Sequence, residues 1–345
     1  MIKSALVSTK WWSTLVLAAV FTTGCAAQIN SLFNDDDEEI AAPVGPQNPS
    51  PLSGREDGLG KPVLILKIDN IKNARPHEGL TAADQIYVER IEGGYSRLFA
   101  VYATELPTSV GPIRSARPTD ISILRQFGSP AFGYSGAQSK LIPLLDREPF
   151  VDISNRVTED GWYRAEPPRY SPHNLMVMPA RLLELAQAKR EVSKAVTGFE
   201  FSKDFHPAAV KTKSVAVQYP AAKTEFSWSA GNGWQVAFDG EVAIDTLTNT
   251  PHTPSTVIVQ ITKTISSGFK DSFGKDVPDQ QLVGSGKAIM LRNGKSLEVN
   301  WQRLKDSDFP TYTYEGQQVN LKAGQIWFVY ASEDEISLTL AKLSE

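Results

Sequence analysis

Four arginines, Arg75, Arg97, Arg114 and Arg117, stand beside proline, glycine or the ends of β-rich runs in the first half of the chain. Polar groups converge on ligands at such places, because loops are held by the rigid elements they join. A guanidinium is a planar fork that pairs bidentately with carboxylate or phosphate. Four of them in one cleft would therefore bind a carboxylate-rich or phosphate-bearing ligand, such as a peptidoglycan stem peptide or a teichoic-acid chain. The competing arrangement is internal: Asp69, Asp84, Glu89 and Glu92 lie close in sequence and could pair with the arginines simply to brace loops.

The same carboxylates raise a second chemistry. Glycan cleavage needs one carboxyl as acid and another as base or nucleophile. Glu89 and Glu92 point to opposite faces of a regular strand, so the pair would be Asp69 with one of them. A third arrangement is Ser135 within Gly133-Tyr134-Ser135-Gly136-Ala137, followed by Asp146, Asp152 and His173 in the order of a nucleophile-elbow triad. Ala137 replaces the second glycine of that motif, and the spacing is short for an α/β-hydrolase. The four histidines, His77, His173, His206 and His252, have no metal-binding spacing, and the body of the chain has no thiolate. No metal, cofactor or catalytic residue is assigned, and a binding role is favoured over an enzymatic one. Trp228, Trp234, Trp301, Trp327, Tyr312, Tyr314 and Tyr330 could stack on sugars, but small β units also use such rings as core.

The elements that must position these groups follow from the hydropathy pattern. Residues 62–69 form an apolar run of strand length ending in the polar pair Asp69-Asn70. Residues 86–92 and 95–103 are β-rich around Gly93-Gly94, which predicts a hairpin with a two-residue loop that places Arg90 opposite Arg97. Helices are predicted over 118–127 and 178–196, the second with Pro179 near its start. Beyond residue 200, short β-rich segments alternate with turns: 215–219, 234–238, 257–262, 288–291 and 325–330. The expectation is an α+β chain: a mixed-sheet α/β N-terminal domain with flanking helices over 61–200, and a smaller, mostly β C-terminal domain over 201–345. Arginine is concentrated in the first of these, with ten in residues 61–180 and four thereafter.

Thirty-five Lys and Arg against thirty-nine Asp and Glu give a net charge of −4. The leader carries only Lys3 and Lys10, and the acidic stretch 25–60 holds the excess of negative charge, so residues 61–345 are neutral. A neutral body lacks the cationic surplus that nucleic-acid binding requires. Lys3 and Lys10, the apolar run 11–21 and Thr22-Thr23-Gly24-Cys25 read as a signal peptide over 1–24 whose cleavage site ends at the single cysteine. The run is too short to span a membrane. Residues 25–60, rich in Asp, Glu, Pro and Gly without apolar periodicity, are expected to form a disordered tether.

Several motifs in one order carry a resemblance. Thr23-Gly24-Cys25 resembles the lipobox of bacterial lipoproteins, which implies a diacylglyceryl anchor on Cys25. Lys67-Ile68-Asp69-Asn70, Ala74-Arg75-Pro76-His77-Glu78-Gly79-Leu80, Glu92-Gly93-Gly94, Gly111-Pro112-Ile113-Arg114-Ser115-Ala116-Arg117 and Ser171-Pro172-His173-Asn174-Leu175 resemble the YerB-like lipoprotein family, DUF3048. Asn293-Gly294-Lys295 and Leu321-Lys322-Ala323-Gly324-Gln325-Ile326-Trp327 resemble its C-terminal part. The resemblance implies an α/β body on a lipid tether in a bacterial envelope, and it carries no activity across. With Asn70, His173 and Asn174 added from these motifs, the candidate ligand-binding set is Asp69, Asn70, Arg75, Asp84, Glu89, Glu92, Arg97, Arg114, Arg117, His173 and Asn174. The function expected is a lipid-anchored extracytoplasmic protein binding an anionic cell-wall polymer or an acidic envelope partner through an arginine-lined cleft. The alternatives are a peptidoglycan-directed hydrolase and a non-catalytic module regulating wall synthesis.

Overall fold

The structure, a computed structural model, describes residues 47–271 and 273–341. The leader, Cys25 and residues 25–46 of the expected tether lie outside the described residues. Ten strands and three helices are labelled here: β1 Leu64–Asp69, β2 Gln85–Arg90, β3 Ser96–Tyr102, α1 Pro118–Arg125, β4 Ala131–Gly133, α2 Ile142–Leu145, β5 Val151–Asp152, β6 Trp162–Arg164, β7 Leu175–Val177, α3 Pro179–Lys189, β8 Val210–Tyr219, β9 Ala222–Ser229 and β10 Gly233–Phe238. Five further strands, Thr256–Ile261, Gly284–Arg292, Lys295–Arg303, Thr311–Tyr314 and Ile326–Ala331, belong to the same sheet as β8.

The chain is α+β, built on one large mixed sheet. Strand Ile326–Ala331 lies between β2 and Thr256–Ile261, parallel to both, so a C-terminal segment joins the β-rich second half to the first. From β2 the sheet continues through β3 and β1, both antiparallel, then through β4 and β5 in parallel. Side chains alternate between faces along a strand. Leu64, Leu66 and Ile68 of β1 therefore join one core with Ile86, Val88, Leu98 and Ala100, which α3 covers through Leu182 and Ala186. Ile65 of β1 joins the opposite core with Tyr87, Phe99 and Val101, which α1 covers through Ile123 and Leu124. Lys67 and Asp69 share this second face, so the apolar floor of β1 runs into charge toward its C-terminal end.

Two expectations need correcting here. Ile91 N–H bonds Tyr95 C=O at 2.9 Å, which leaves a three-residue loop, Glu92-Gly93-Gly94, with both glycines at positive φ. The extra loop residue shifts the register by one, and Glu89 rather than Arg90 lies opposite Arg97. The helix predicted over 178–196 stops at Lys189, because Ser193 and Ala195 hydrogen-bond the backbones of Ser129 and Lys61 in extended form.

Residues 47–60 also differ from the expected tether. Leu52 is 1% exposed, its carbonyl accepts from Gln85 Nε2 at 2.8 Å, and Ser53 Oγ donates to the buried Asp84. Pro51 and Ser53 carbonyls accept from Phe199 and Gly324 backbones. Backbone hydrogen bonds to distant segments, which leave no trace in apolar periodicity, hold this stretch down. Ser53→Ala should cost about 1.5 kcal/mol, as expected for a lost bond to a buried carboxylate. A urea-denaturation midpoint equal to wild type would return these residues to a passive role.

Candidate functional site

The cleft opens where β1 ends and β3 begins. Arg97, near the start of β3, stands opposite Asp69 of β1 on one side and Glu89 of β2 on the other. The carboxylates do not divide among the arginines as the sequence suggests, because Lys67, hidden in the apolar run of β1, takes two of them. Its Nζ is ion-paired to Glu89 and, at 2.6 Å, to Asp120, with all three side chains fully buried. Asp120 also accepts from the Arg117 backbone N–H at 2.7 Å, capping the start of α1. Burial raises Glu89, with Asp120 adding to the effect and Lys67 opposing it, to about 7.

Arg97 is left without a carboxylate. It is 5% exposed, its Nη1 donates to Ser115 C=O at 2.9 Å, and its Nε has no partner. No carboxylate lies within 4.0 Å of it among the described residues. Burial, then the nearby charge of Arg117, lowers its guanidinium to about 9 against the opposing charges of Glu92 and Asp69, with Arg114 a smaller cause in the lowering sense. An anion set against Arg97 would offset the like charges of Arg117 and Arg114.

The neighbours are tied more fully. Arg117 grips Glu92 through two nitrogens, Nε to Oε2 at 2.6 Å and Nη2 to Oε1. Burial alone would raise Glu92, but the Arg117 hydrogen bonds and charge bring it down to about 2. Arg114 Nε lies 3.3 Å from Asp69 Oδ2, and the same oxygen accepts from His173 Nδ1 at 2.7 Å. Three guanidiniums thus share the cleft with three carboxylates, Asp69, Glu92 and Asp271, the last accepting from the Phe273 and Lys275 backbone N–H groups. Two adjoining lobes, of about 570 and 490 Å³, share Glu92, Arg97, Arg114, Asp271 and Phe273 as their common wall. Lys270, Lys275 and Phe273 come from the hairpin formed by Thr264–Lys270 and Asp276–Gln280, and Phe273 is 87% exposed.

Six of the eleven expected ligand-binding residues therefore meet at this cleft: Asp69, Glu92, Arg97, Arg114, Arg117 and His173. Five do not line it. Arg75 turns to the second half of the chain, pairing with Asp239 at 2.7 Å and covering the ring of Phe238. Asn70 is buried, donating to Ser96 Oγ at 2.9 Å and accepting from Arg75. Asp84 accepts from Ser53, from the Ala103 and Thr104 backbones and from Thr104 Oγ1, so it is saturated as a loop anchor. Glu89 belongs to Lys67. Asn174 accepts from Arg164 and donates to Ala165 C=O beside the β6–β7 pair.

The alternative chemistries fare no better. Glu89 is sealed by Lys67 and Glu92 by Arg117, so neither offers Asp69 a partner for glycan cleavage. His173 bonds Asp69, whereas Asp146 and Asp152 both bond Arg156, so the Ser135 triad does not assemble. Trp234, Trp301, Trp327, Tyr312 and Tyr330 are core. Sequence reasoning missed Lys67 and Asp120, and it missed the hairpin tip, whose residues carry no motif. Among the described residues no three His, Cys, Asp or Glu side chains gather as metal ligands.

An α+β body with an arginine-rich cleft at the end of its first strand is the class of protein these observations define. The chain belongs to the DUF3048 family: the model "Protein of unknown function (DUF3048) N-terminal domain" matches residues 51–193, and its C-terminal-domain counterpart matches 215–328. It is 22% identical over 338 residues to "Putative lipoprotein YerB" of Bacillus subtilis (strain 168), covering 92% of this chain and 94% of that one. The crystal structure of YerB protein from Bacillus subtilis is similar in fold, with a TM-score of 0.74 at 19% identity over 85% of this chain and all of that one. No helix among the described residues is long and apolar enough to cross a membrane. The lipid-anchored, extracytoplasmic location read from the leader and Cys25 agrees with the lipoprotein relative.

Proposed function

We propose that this lipoprotein, held to the outer face of its membrane by diacylglyceryl on Cys25, binds an anionic polymer of the cell envelope in the Arg97–Arg114 cleft. The observation that carries the reading is Arg97, a nearly buried guanidinium without a carboxylate, on the wall shared by both lobes. A buried arginine whose counter-charge is missing favours an anion that brings one.

Chemical denaturation with and without inorganic phosphate tests the reading. At phosphate near one hundred times Kd, wild type should gain about 2.7 kcal/mol. Arg97→Met should keep or raise the unliganded stability, because it relieves repulsion among cations, and should lose the phosphate effect; Arg114→Met should lose the phosphate effect too, while giving up its ion pair to the buried Asp69. Arg117→Ala should instead destabilise, because it strands Glu92. Loss of stability in Arg97→Met, with no phosphate effect on wild type, would make the cluster internal bracing.

A further inference from the structure

Asp69 does more in the cleft than balance arginine charge. Its Oδ2 accepts from His173 Nδ1 at 2.7 Å, and Asp69 is 1% exposed, so a fixed carboxylate sets the imidazole from beneath. A proton on Nδ1 leaves Nε2 as the basic nitrogen. Nε2 has no hydrogen-bond partner among the described residues, and His173 lines the same lobe as Arg97 and Arg114. A carboxylate-oriented base beside electrophile-stabilising cations is a general-base arrangement.

The two lobes meet at Arg97 and Arg114. A chain lying through both lobes places an internal linkage, rather than an end group, at the shared wall of Arg97 and Arg114. The internal anionic linkage that two guanidiniums stabilise further as it reacts is a phosphodiester, whose equatorial oxygens gain charge during displacement.

We propose that the cleft hydrolyses phosphodiester linkages of an anionic envelope polymer, with His173 as general base and Arg97 and Arg114 holding the phosphoryl oxygens. The inference rests on the anion-binding reading above. Nε2 takes a proton from a water as the water oxygen bonds to phosphorus. The P–O bond to the departing alcohol, on the far side of phosphorus, then breaks; solvent water protonates that oxygen and the imidazolium gives its proton to solvent. One water is consumed, a phosphomonoester and an alcohol are formed, and the histidine ends as it began. Asp69 is a positioning residue: it touches His173 and not the phosphate.

The test uses the full chain in detergent with bis(p-nitrophenyl) phosphate and poly(glycerol phosphate), in the presence of EDTA. Wild type should release nitrophenolate and shorten the polymer. His173→Ala should lower kcat by about 100-fold or more while KM stays close to wild type, the size expected for loss of a general base. Asp69→Asn should lower kcat and displace the limb of the kcat–pH profile that reports the base. Equal rates in wild type and His173→Ala, or no turnover of either substrate by wild type, would overturn the proposal. Phosphate-induced stabilisation without turnover would leave the binding reading standing and remove hydrolysis alone, whereas its absence would remove the binding reading itself.

Discussion

Lys67→Met should cost about 3 to 5 kcal/mol at pH 8, the loss typical when a buried ion pair is broken by removing one partner. Methionine nearly fills the volume of the lysine stem, so little of this loss is a cavity. What remains is two buried carboxylates, Glu89 and Asp120, facing each other without a cation. Burial and Asp120 already raise Glu89 to about 7 with the lysine present, and its removal raises Glu89 further. At pH 5 the stranded Glu89 takes up a proton, and the deficit should shrink by at least half. Urea denaturation of wild type and variant at both pH values decides the point. An equal, small loss at pH 8 and pH 5 would mean that the triad is not the buried unit described. A second consequence reaches the cleft, because Glu89 without its lysine is free to draw Arg97, so Lys67→Met should also weaken phosphate binding.

The second large effect is acid sensitivity from two buried histidines. His77 sits under the end of β1 with Nε2 2.8 Å from Asp69 C=O, and burial lowers it to about 3. His252 packs near Trp327 with neither ring nitrogen hydrogen-bonded, and burial lowers it to about 4. Both are neutral in the fold and charge freely once unfolded. Their contribution is present above the unfolded value, near 6.5, and is lost as pH falls toward the folded values. Between pH 7 and pH 5 each should remove about 2 kcal/mol. Glu89, being raised, titrates in the opposite sense and partly masks this in wild type, so the comparison must be with variants that share Glu89. His252→Leu should flatten the fall by about 2 kcal/mol, and adding His77→Gln by about 4 kcal/mol. Parallel stability–pH curves for wild type and the double variant would contradict the assignment.

Much of the frame was legible in the sequence, and the failures have physical causes. The strands around 64–69, 257–261 and 326–330 were visible because buried strands read as continuous apolar runs. That signal concealed Lys67, whose charge inside such a run looked incidental. Gly93-Gly94 gave the hairpin and hid its register, since a three-residue loop carries the same glycines as a two-residue one. The arginine cluster was found as residue types. Which arginine lacks a counter-charge depended on which carboxylate each strand pairing delivers, and one residue of register moved Glu89 opposite Arg97. Arg75 and Asp84 find their partners far along the chain, at Asp239 and at Ser53 and Thr104, and Asn174 finds Arg164 across the β6–β7 pair. Local sequence holds no record of such partners.

The central claim is that Arg97, with Arg114 beside it, binds an anion, and the Nε–Hε resonances of ¹⁵N-arginine report it directly. Titration of the full chain with inorganic phosphate should move the Arg97 and Arg114 signals saturably and together. The signals of Arg292 and Arg303, whose guanidiniums are bound to backbone carbonyls elsewhere in the fold, should stay in place. Still signals from Arg97 and Arg114 while exposed arginines such as Arg181 shift would contradict the account.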